Sequence, residues 1–266
     1  MTILKNHVTL ITGAGSGLGL GLAHSFREQG AELALLEVVP AKVEALKAAF
    51  PDALILRRDA TKLADVEAAR AAIEGRFSHL DALVSVHGIF DGMVPLKSIA
   101  PDRIDSLFDE LFHINVKSNF LLARVFADML EASSGAIVLT TSNAAYAADG
   151  GGAFYTATKG ALRSLVGQLA FEFAPKVRVN AVAPAGIANS QLRGPEAMGM
   201  EGKSQADIPK DAFLEVFRRV SLMTDLPTPE DHGAIYAFLA SHANKIMTGQ
   251  TVIADQGLLN RAVLSV

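Results

Sequence analysis

Three polar residues in the second half of the chain have types and spacing that suit proton transfer. Tyr155 and Lys159 are four residues apart, and Ser142 precedes the tyrosine by thirteen residues. On a helix, residues four apart share one face, so the phenol and the ammonium would point into the same space. A free tyrosine has a pKa near ~10 and is a poor base at neutral pH, but a neighbouring positive charge favours the phenolate. With a serine hydroxyl to orient a substrate oxygen, this set predicts proton transfer at a carbon–oxygen bond.

Two residues at one spacing often occur by chance, so the surrounding elements must support this interpretation. Apolar runs predict strands at residues 8–12, 32–38, 53–56, 82–86, 136–140, 177–182 and 251–254. Helical patterns separate them at residues 18–29, 41–50, 62–77, 102–132, 154–173 and 229–239. Seven strands alternating with helices predict an α/β fold with a Rossmann-type, doubly wound parallel sheet covered on both faces. We expect residues 1–266 to form a single domain for cofactor binding and catalysis.

Composition narrows the class of protein. The 266 residues are 50% hydrophobic, and 24 basic and 28 acidic residues give a net charge of −4 without a block of like charges. This pattern argues against a nucleic-acid or membrane partner, and no apolar run approaches the ~18 residues of a membrane span. No signal-peptide layout, no cysteine and no zinc-type histidine spacing are present, so we expect no metal. A cytoplasmic enzyme acting on a small molecule fits these features.

A glycine-rich segment follows the first predicted strand and opens the first predicted helix. Gly13, Gly17 and Gly19 are spaced G-x-x-x-G-x-G, with Ser16 and Leu18 between them. Small residues let the backbone approach a pyrophosphate, whose negative charge is favoured at a helix N-terminus. In this strand–helix context, the segment predicts a dinucleotide-binding loop.

An acidic residue at the end of the second predicted strand bears on the choice of dinucleotide. Glu37 lies 18 residues after Gly19, where a carboxylate can accept hydrogen bonds from the adenosine ribose and would repel a 2′-phosphate. Ser16 and Val38 bring no basic charge to this area, so the sequence predicts NAD rather than NADP. The alternative is a solvated glutamate at a strand end.

The glycine loop, Ser142 and the Tyr155-x-x-x-Lys159 motif together resemble the short-chain dehydrogenase/reductase family, over residues 8 to about 259. The resemblance implies a catalytic set in which Asn115 holds a water that carries the proton onward from the lysine. It also implies a homotetramer formed through the helices that carry Asn115 and Tyr155 and through the last strand. The cofactor-binding residues implied are Gly13, Ser16, Gly17, Leu18, Gly19, Glu37, Asp59, Ala60, His87, Gly88, Tyr155, Lys159, Pro184 and Ile187.

The chain departs from the family pattern at two places. The family's Asn-Ala-Gly after the fourth strand reads Val86-His87-Gly88 here, so the asparagine that usually steadies the sheet is missing. We interpret His87 as a structural accommodation, with a catalytic histidine as the alternative. The family's Pro-Gly contains an additional residue, Ala185, which leaves the nicotinamide contact open.

Several stretches are similar to one group in the family, the bacterial cis-dihydrodiol dehydrogenases and in particular the biphenyl-dihydrodiol type. They are residues 108–117, 141–144, 150–152, 169–175 and 192–195. That group oxidises a cis-diol on a cyclohexadiene ring to a catechol with NAD. In it, the asparagine after the catalytic serine helps to hold the diol, which implies a substrate site of Ser142, Asn143 and Tyr155. Asn143 could equally cap a turn.

Residues 185–211 form the irregular part of the chain and follow the sixth predicted strand. Ligands of open α/β sheets bind at the carboxyl ends of the strands, so we expect a substrate lid here, with an inert insertion as the alternative. Residues that could line an apolar pocket are Phe90, Met93, Leu192, Met198 and Met200. Two other functions remain open: a secondary-alcohol dehydrogenase or ketone reductase acting on a sugar, steroid or terpene, and a non-catalytic NAD-binding regulatory protein.

Overall fold

A computed structural model describes residues 2–148, 150–207 and 209–260, and its centre is a seven-stranded sheet. The strands are β1 Val8–Thr12, β2 Glu32–Glu37, β3 Leu54–Arg57, β4 Ala82–Ser85, β5 Ala136–Thr140, β6 Arg178–Pro184 and β7 Thr251–Ala254. They are hydrogen-bonded in the order β3-β2-β1-β4-β5-β6-β7, and each pair is parallel. The predicted fold class is therefore confirmed.

Helices cover both faces of the sheet. The helices in the described part of the chain are α1 Gly17–Glu28, α2 Pro40–Ala49, α3 Leu63–Phe77, α4 Ile104–Phe112, α5 Ser118–Ser133, α6 Ala153–Phe173, α7 Lys210–Val220 and α8 Gly233–Ala240. One apolar cluster joins α3, α5 and α6 to the sheet and includes Phe126 and Leu162. A second cluster, on α1, α2 and α8, includes Phe26 and Tyr236. No helix in the described part of the chain is both long and apolar enough to cross a bilayer.

Two helical regions differ from the sequence-based prediction. The predicted helix at 102–132 is divided, because a π-helix at His113–Lys117 separates α4 from α5. Helix α7 was not predicted, although Phe213, Phe217 and Val220 have helical spacing that could have revealed it. Only Phe217 is buried among the described side chains of α7. The helix therefore has only a small buried face, and the apolar pattern that would predict it is weak.

The direction of the strand order reverses between the neighbouring strands β1 and β4. Strands β2 and β3 lie on the side of β1, and strands β5 to β7 lie on the side of β4. Crossover helices leave on opposite faces at such a point and open a crevice at the carboxyl ends of the strands. The glycine loop follows β1 and Ser142 follows β5. The topology therefore brings both predicted motifs to one edge of the sheet.

Candidate active site

A cavity of about 400 Å³ lies at this edge, within the range of small-molecule sites. It brings together most of the residues predicted from the sequence, whereas Asn115, Asn143 and Ile187 do not line it. The predicted residues that line it are Gly13, Ser16, Gly17, Leu18, Gly19, Glu37, Asp59, Ala60, His87, Gly88, Ser142, Tyr155, Lys159 and Pro184.

The backbone of the glycine loop requires glycine at particular positions. Gly13 and Gly17 have φ angles of 72° and 50°, in the left-handed region that favours glycine. A Cβ on Gly13 would lie 2.9 Å from His87, and one on Gly19 would lie 2.1 Å from the Gly13 carbonyl oxygen. Ser16 precedes α1 without capping it through its side chain, and the first turn carries no acidic residue. The positive end of α1 thus borders the cavity and fits the diphosphate of a dinucleotide.

Glu37 presents a fixed carboxylate at one end of the cavity. Its Oε1 accepts hydrogen bonds from the backbone N–H groups of Val38 and Val39, at 2.8 and 2.9 Å. Its Oε2 accepts one from Gly15 at 3.0 Å. A carboxylate has about four acceptor positions, so about one remains for a ligand hydroxyl. The buried side chain is therefore not a solvated strand-end glutamate.

Basic residues near Glu37 were missed from the sequence. Lys42 lines the cavity, and its ammonium donates to the Ser16 hydroxyl at 2.8 Å. Arg58 also lines the cavity, with its guanidinium 3.9 Å from Asp65. The expectation that this area lacks basic charge was wrong, because α2 and the end of β3 bring these side chains in from outside the loop.

Tyr155 and Lys159 are both buried on α6 and share the cavity as predicted. The lysine Nζ lies 5.4 Å from the centre of the tyrosine ring. Burial raises the pKa of Tyr155 to about 12; a hydrogen bond with Ser142 acts against this shift, and the charge of Asp91 adds to it. Burial also lowers the pKa of Lys159 to about 8. The lowering of the tyrosine pKa that we expected from the ammonium is therefore not found, and burial raises the pKa of Tyr155 instead.

Ser142 follows β5 in an extended conformation and begins a short 3-10 turn, Asn143–Ala145. Its hydroxyl donates to the side-chain oxygen of Asn143 at 3.1 Å and accepts from the backbone N–H of Ala144 at 3.2 Å. The cap of this turn is thus the serine rather than Asn143. The asparagine side chain is therefore hydrogen-bonded to a serine hydroxyl that borders the cavity, without lining the cavity itself.

Asn115 lies in the π-helix between α4 and α5 and is fully buried. Its amide oxygen accepts from the backbone N–H of Ile89 at 2.8 Å, and its nitrogen donates to the Ile89 carbonyl at 2.9 Å. The same nitrogen donates to the Thr158 hydroxyl at 3.1 Å, and that hydroxyl donates to the Tyr155 carbonyl at 2.7 Å. Both amide hydrogens of Asn115 are engaged in tying the segment after β4 to α6. Local π-helical geometry of this kind often occurs at functional sites.

His87 bridges the sheet and the start of α5. Its Nδ1 lies 2.7 Å from the Thr12 hydroxyl, and its Nε2 lies 2.7 Å from the Ser118 hydroxyl. Ser118 donates its own hydrogen to the Ile114 carbonyl, so its oxygen accepts from the histidine, which indicates a proton on Nε2. Burial and the charge of Lys159 lower the pKa of His87 to about 4. These contacts support a structural accommodation.

The segment 185–211 carries two short 3-10 turns, Glu196–Met198 and Gln205–Asp207. The Glu110 carboxylate on α4 accepts hydrogen bonds from the backbone N–H groups of Glu196 and Ala197, at 3.0 and 2.9 Å. The Phe90 N–H donates to the Arg193 carbonyl at 2.9 Å. The segment is therefore attached at defined points beside the cavity.

Of the apolar residues predicted to line a substrate pocket, one lines the cavity and the others lie outside it. Leu192 lines the cavity, together with Ser190, Gln191 and Arg193 of the same segment. Phe90 and Met198 pack in an apolar cluster around Tyr155. Met93 is half exposed, and the Met200 methyl group lies close to Gly92.

Comparisons with known proteins agree with this geometry. Residues 13–259 match a family profile described as enoyl-(acyl carrier protein) reductase. The chain is 39% identical over 265 residues to 3-phenylpropionate-dihydrodiol/cinnamic acid-dihydrodiol dehydrogenases of Escherichia coli O7:K1 (strain IAI39 / ExPEC) and Shigella boydii serotype 4 (strain Sb227). These alignments cover 99% of this chain and 97% of each relative.

Solved structures show the same architecture. A short-chain dehydrogenase/reductase of Brucella melitensis, described as glucose/ribitol dehydrogenase, has a TM-score of 0.81 at 27% identity, covering 96% of this chain and 98% of that chain. The structure described as gox2181 has a TM-score of 0.83 at 24% identity and covers 98% of both chains.

Proposed function

The chain belongs to the short-chain dehydrogenase/reductase family, and from that premise we propose that it oxidises a cis-dihydrodiol of an aromatic compound to a catechol with NAD. One observation carries the proposal. Ser142, Tyr155 and Lys159 meet the glycine loop in a single cavity of a chain that is 39% identical, over nearly its full length, to dihydrodiol dehydrogenases. Those relatives are named for 3-phenylpropionate and cinnamate diols rather than for biphenyl, so the ring substituent is left to experiment.

The residues present fit a nicotinamide dinucleotide. The start of α1 and the glycine loop would hold the diphosphate, and the remaining acceptor position on Glu37 would take a ribose hydroxyl. The negative charge of Glu37 would repel a 2′-phosphate and supports NAD, whereas Lys42 and Arg58 act in the opposite sense. When bound, the oxidised cofactor would supply a hydride acceptor and a positive charge in the cavity.

The protein's own residues divide the work at the diol. Ser142 would hold the hydroxyl that reacts, and Tyr155, as phenolate, would take its proton when the carbon–hydrogen bond breaks and hydride leaves with two electrons. The ammonium of Lys159 would stabilise the phenolate and bind the nicotinamide ribose. Asn143 would act on the second hydroxyl; its hydrogen bond to Ser142 supports this role, although its own side chain does not line the cavity. The hydroxyketone formed tautomerises to a catechol, and the gain of aromaticity makes the reaction effectively one-way.

Two roles are proposed for Asn115, water binding and the positioning of α6, and its contacts support them unequally. The resemblance implies that it holds a water for the proton leaving through Lys159. Its amide hydrogens are used on Ile89 and Thr158, and its backbone carbonyl accepts from Asn119 at 2.9 Å. These contacts favour a role in positioning α6.

We keep the segment 185–211 as a substrate lid. Its attachment to Glu110 and its contribution of Leu192 to the cavity support this role.

The homotetramer is also a proposal, supported by exposed apolar side chains on the helices and the last strand through which the resemblance implies assembly. Phe120 on α5 and Phe171 on α6 are 52% and 81% exposed, and Ile253 on the edge strand β7 is 42% exposed. Light scattering of the wild type and of Phe171→Glu tests it, with dissociation expected in the variant. The substrate is a small molecule, and the reaction fits the cytoplasmic location expected from the sequence.

A substrate panel tests the proposed activity. NADH formation is followed with cis-dihydrodiols with and without an acidic side chain, with matching trans-dihydrodiols, and with plain cyclic secondary alcohols. Turnover of cis-dihydrodiols with release of the catechol is expected, and the trans isomers serve as the matched control. Comparable kcat/KM values for plain cyclic alcohols would establish the general alcohol dehydrogenase instead. NADH binding without turnover of any of these compounds would indicate the regulatory protein.

A further inference from the structure

A buried carboxylate outside the cavity caps the helix that carries the tyrosine. Asp91 lies in the segment after β4 and is only 1% exposed. Its Oδ1 accepts from the backbone N–H of Gly152 at 2.8 Å, and its Oδ2 accepts from the backbone N–H of Tyr155 at 2.9 Å. Gly152 precedes α6 and has no side chain with which to cap it. Asp91 therefore supplies, from 61 residues earlier in the chain, the acceptor that the first turn of α6 lacks.

We infer that Asp91 is a positioning residue for the proton transfer, because it fixes the first turn of α6 and with it the place of the Tyr155 phenol relative to Ser142 and Lys159. The inference rests on the proposed role of Tyr155 as base. Asp91 does not line the cavity, so it acts through the tyrosine rather than on the substrate.

The surroundings of Asp91 are shaped for a carboxylate. A Cβ on Gly152 would lie 2.5 Å from Oδ2, so the residue before α6 must be glycine for the carboxylate to reach the helix. The backbone N–H of Met93 adds a contact of 3.3 Å to Oδ1. Gly92 and Met93 have φ angles of 68° and 58°, which turn the chain back immediately after Asp91. A left-handed methionine is uncommon, so this turn is held by its surroundings.

Three consecutive residues, Ile89 to Asp91, contact the catalytic elements in turn. Both backbone groups of Ile89 are hydrogen-bonded to Asn115. The Phe90 ring meets the Tyr155 ring edge-on, at 4.9 Å between centres and 85° between planes. Asp91 holds the Tyr155 N–H, while Thr158 holds its carbonyl. The tyrosine is thus fixed at its backbone on both sides and at its ring, and Asp91 supplies the contact at the helix end.

The charge of Asp91 gives this role a measurable signature. Tyr155 is faced by Lys159 from its own helix, by Ser142 from the end of β5, by Tyr236 from α8 and by Asp91 from the segment after β4. Burial is the largest cause of the raised pKa of Tyr155, and the negative charge of Asp91 raises it further. Removing this charge should move the acid limb of the kcat profile to lower pH, whereas a purely structural cap would leave the limb in place.

The test compares Asp91→Asn and Asp91→Glu with a matched control, Asp255→Asn. Asp255 is also buried and accepts backbone N–H groups with both oxygens, from Gly257 at 3.0 Å and from Leu259 at 2.8 Å. Like Asp91 it does not line the cavity, but its hydrogen bonds are to residues after β7 rather than to α6. For Asp91→Asn we expect kcat to fall by roughly 10- to 100-fold, with NADH affinity within about twofold of wild type, because displacing a catalytic group by ~1 Å costs on this scale.

The pH profile and a spectroscopic titration separate the outcomes. The acid limb should move to lower pH in Asp91→Asn and stay in place in Asp91→Glu and in Asp255→Asn, which loses thermal stability only. The chain has three tyrosines and no tryptophan, so ultraviolet difference spectroscopy follows the phenols without turnover. The titration that is absent in Tyr155→Phe belongs to the Tyr155 phenol. In Asp91→Asn, this titration should move to lower pH.

Wild-type kcat and an unmoved limb in Asp91→Asn would overturn the inference, as would an unshifted phenol titration. Absence of turnover in the wild type would instead count against the proposed function, and the phenol titration would still decide the role of Asp91.

Discussion

The ammonium of Lys159 donates a 3.0 Å hydrogen bond to the backbone carbonyl of Thr140, the last residue of β5. The lysine is almost fully buried, and burial lowers its pKa from 10.5 to about 8. A neutral carbonyl offsets only part of the cost of removing an ammonium from water. The residue is therefore retained at this position at the expense of stability.

Lys159→Met should stabilise the fold at neutral pH and abolish turnover. The pKa of Lys159 is lower in the folded state than in the unfolded state. Below a pH of about 8 the lysine is charged in both states, so the folded state bears the full desolvation cost of the ammonium. Removing it should raise the free energy of unfolding by 1 to 3 kcal/mol, an order-of-magnitude figure for a pKa shift of this size, and the gain should vanish at high pH, where both states are neutral. Urea unfolding at neutral and alkaline pH measures this, and destabilisation at neutral pH would contradict it.

Tyr155→Phe should lower kcat by at least about 10²-fold, the scale of a lost general base, while NADH affinity changes little. In the wild type, kcat should rise with pH, because burial raises the pKa of the phenol that must ionise. Tyr146→Phe is the matched control, since Tyr146 stacks against Arg163 and does not line the cavity. Turnover near wild type in Tyr155→Phe would remove the tyrosine from the mechanism.

Glu37→Ala should weaken NADH binding and reduce discrimination against NADPH. The wild type should bind NADH at least ~10-fold more tightly than NADPH, because the fixed carboxylate disfavours a 2′-phosphate. Lys42→Met is the companion variant, since its ammonium borders the same end of the cavity and should aid only the phosphorylated cofactor. Fluorescence titration of each cofactor measures the affinities, and equal affinities in the wild type would refute the ribose role of Glu37.

His87→Gln should flatten the acid dependence of stability while keeping most activity. The folded pKa of about 4 lies below the unfolded value of 6.5, so the histidine's contribution is complete above 6.5 and is lost as pH falls towards 4. The loss is on the order of 1–3 kcal/mol for the wild type, and a glutamine amide does not titrate. Unfolding midpoints between these pH values, compared between the two proteins, test it. Parallel curves would mean that the ring is not held neutral, and lost turnover with a normal fold would favour a catalytic histidine.

The parts predicted correctly are those that depend on short spacing. The β1 strand and the glycine loop are contiguous, and the i, i+4 relation of Tyr155 and Lys159 follows from any helix over that segment. The division between α4 and α5 was not predicted, because the π-helix at His113–Lys117 is stabilised by contacts of Asn115 with Ile89, which is distant in the chain. Helix α7 was not predicted although its spacing was readable, because Phe217 is the only buried residue among its described side chains and the chain before it has an irregular composition.

The sequence alone determined the fold class, the family and the residue types of the proton transfer, because periodicity and motif spacing are local properties of the chain. The tertiary structure decided the environment of those residues, which depends on groups distant in sequence. Burial raises the Tyr155 pKa, Asp91 reaches the tyrosine from 64 residues away, and Lys42 reaches Ser16 from 26 residues away. Desolvation and long-range electrostatics follow from which groups are enclosed together, and no spacing along the chain records that.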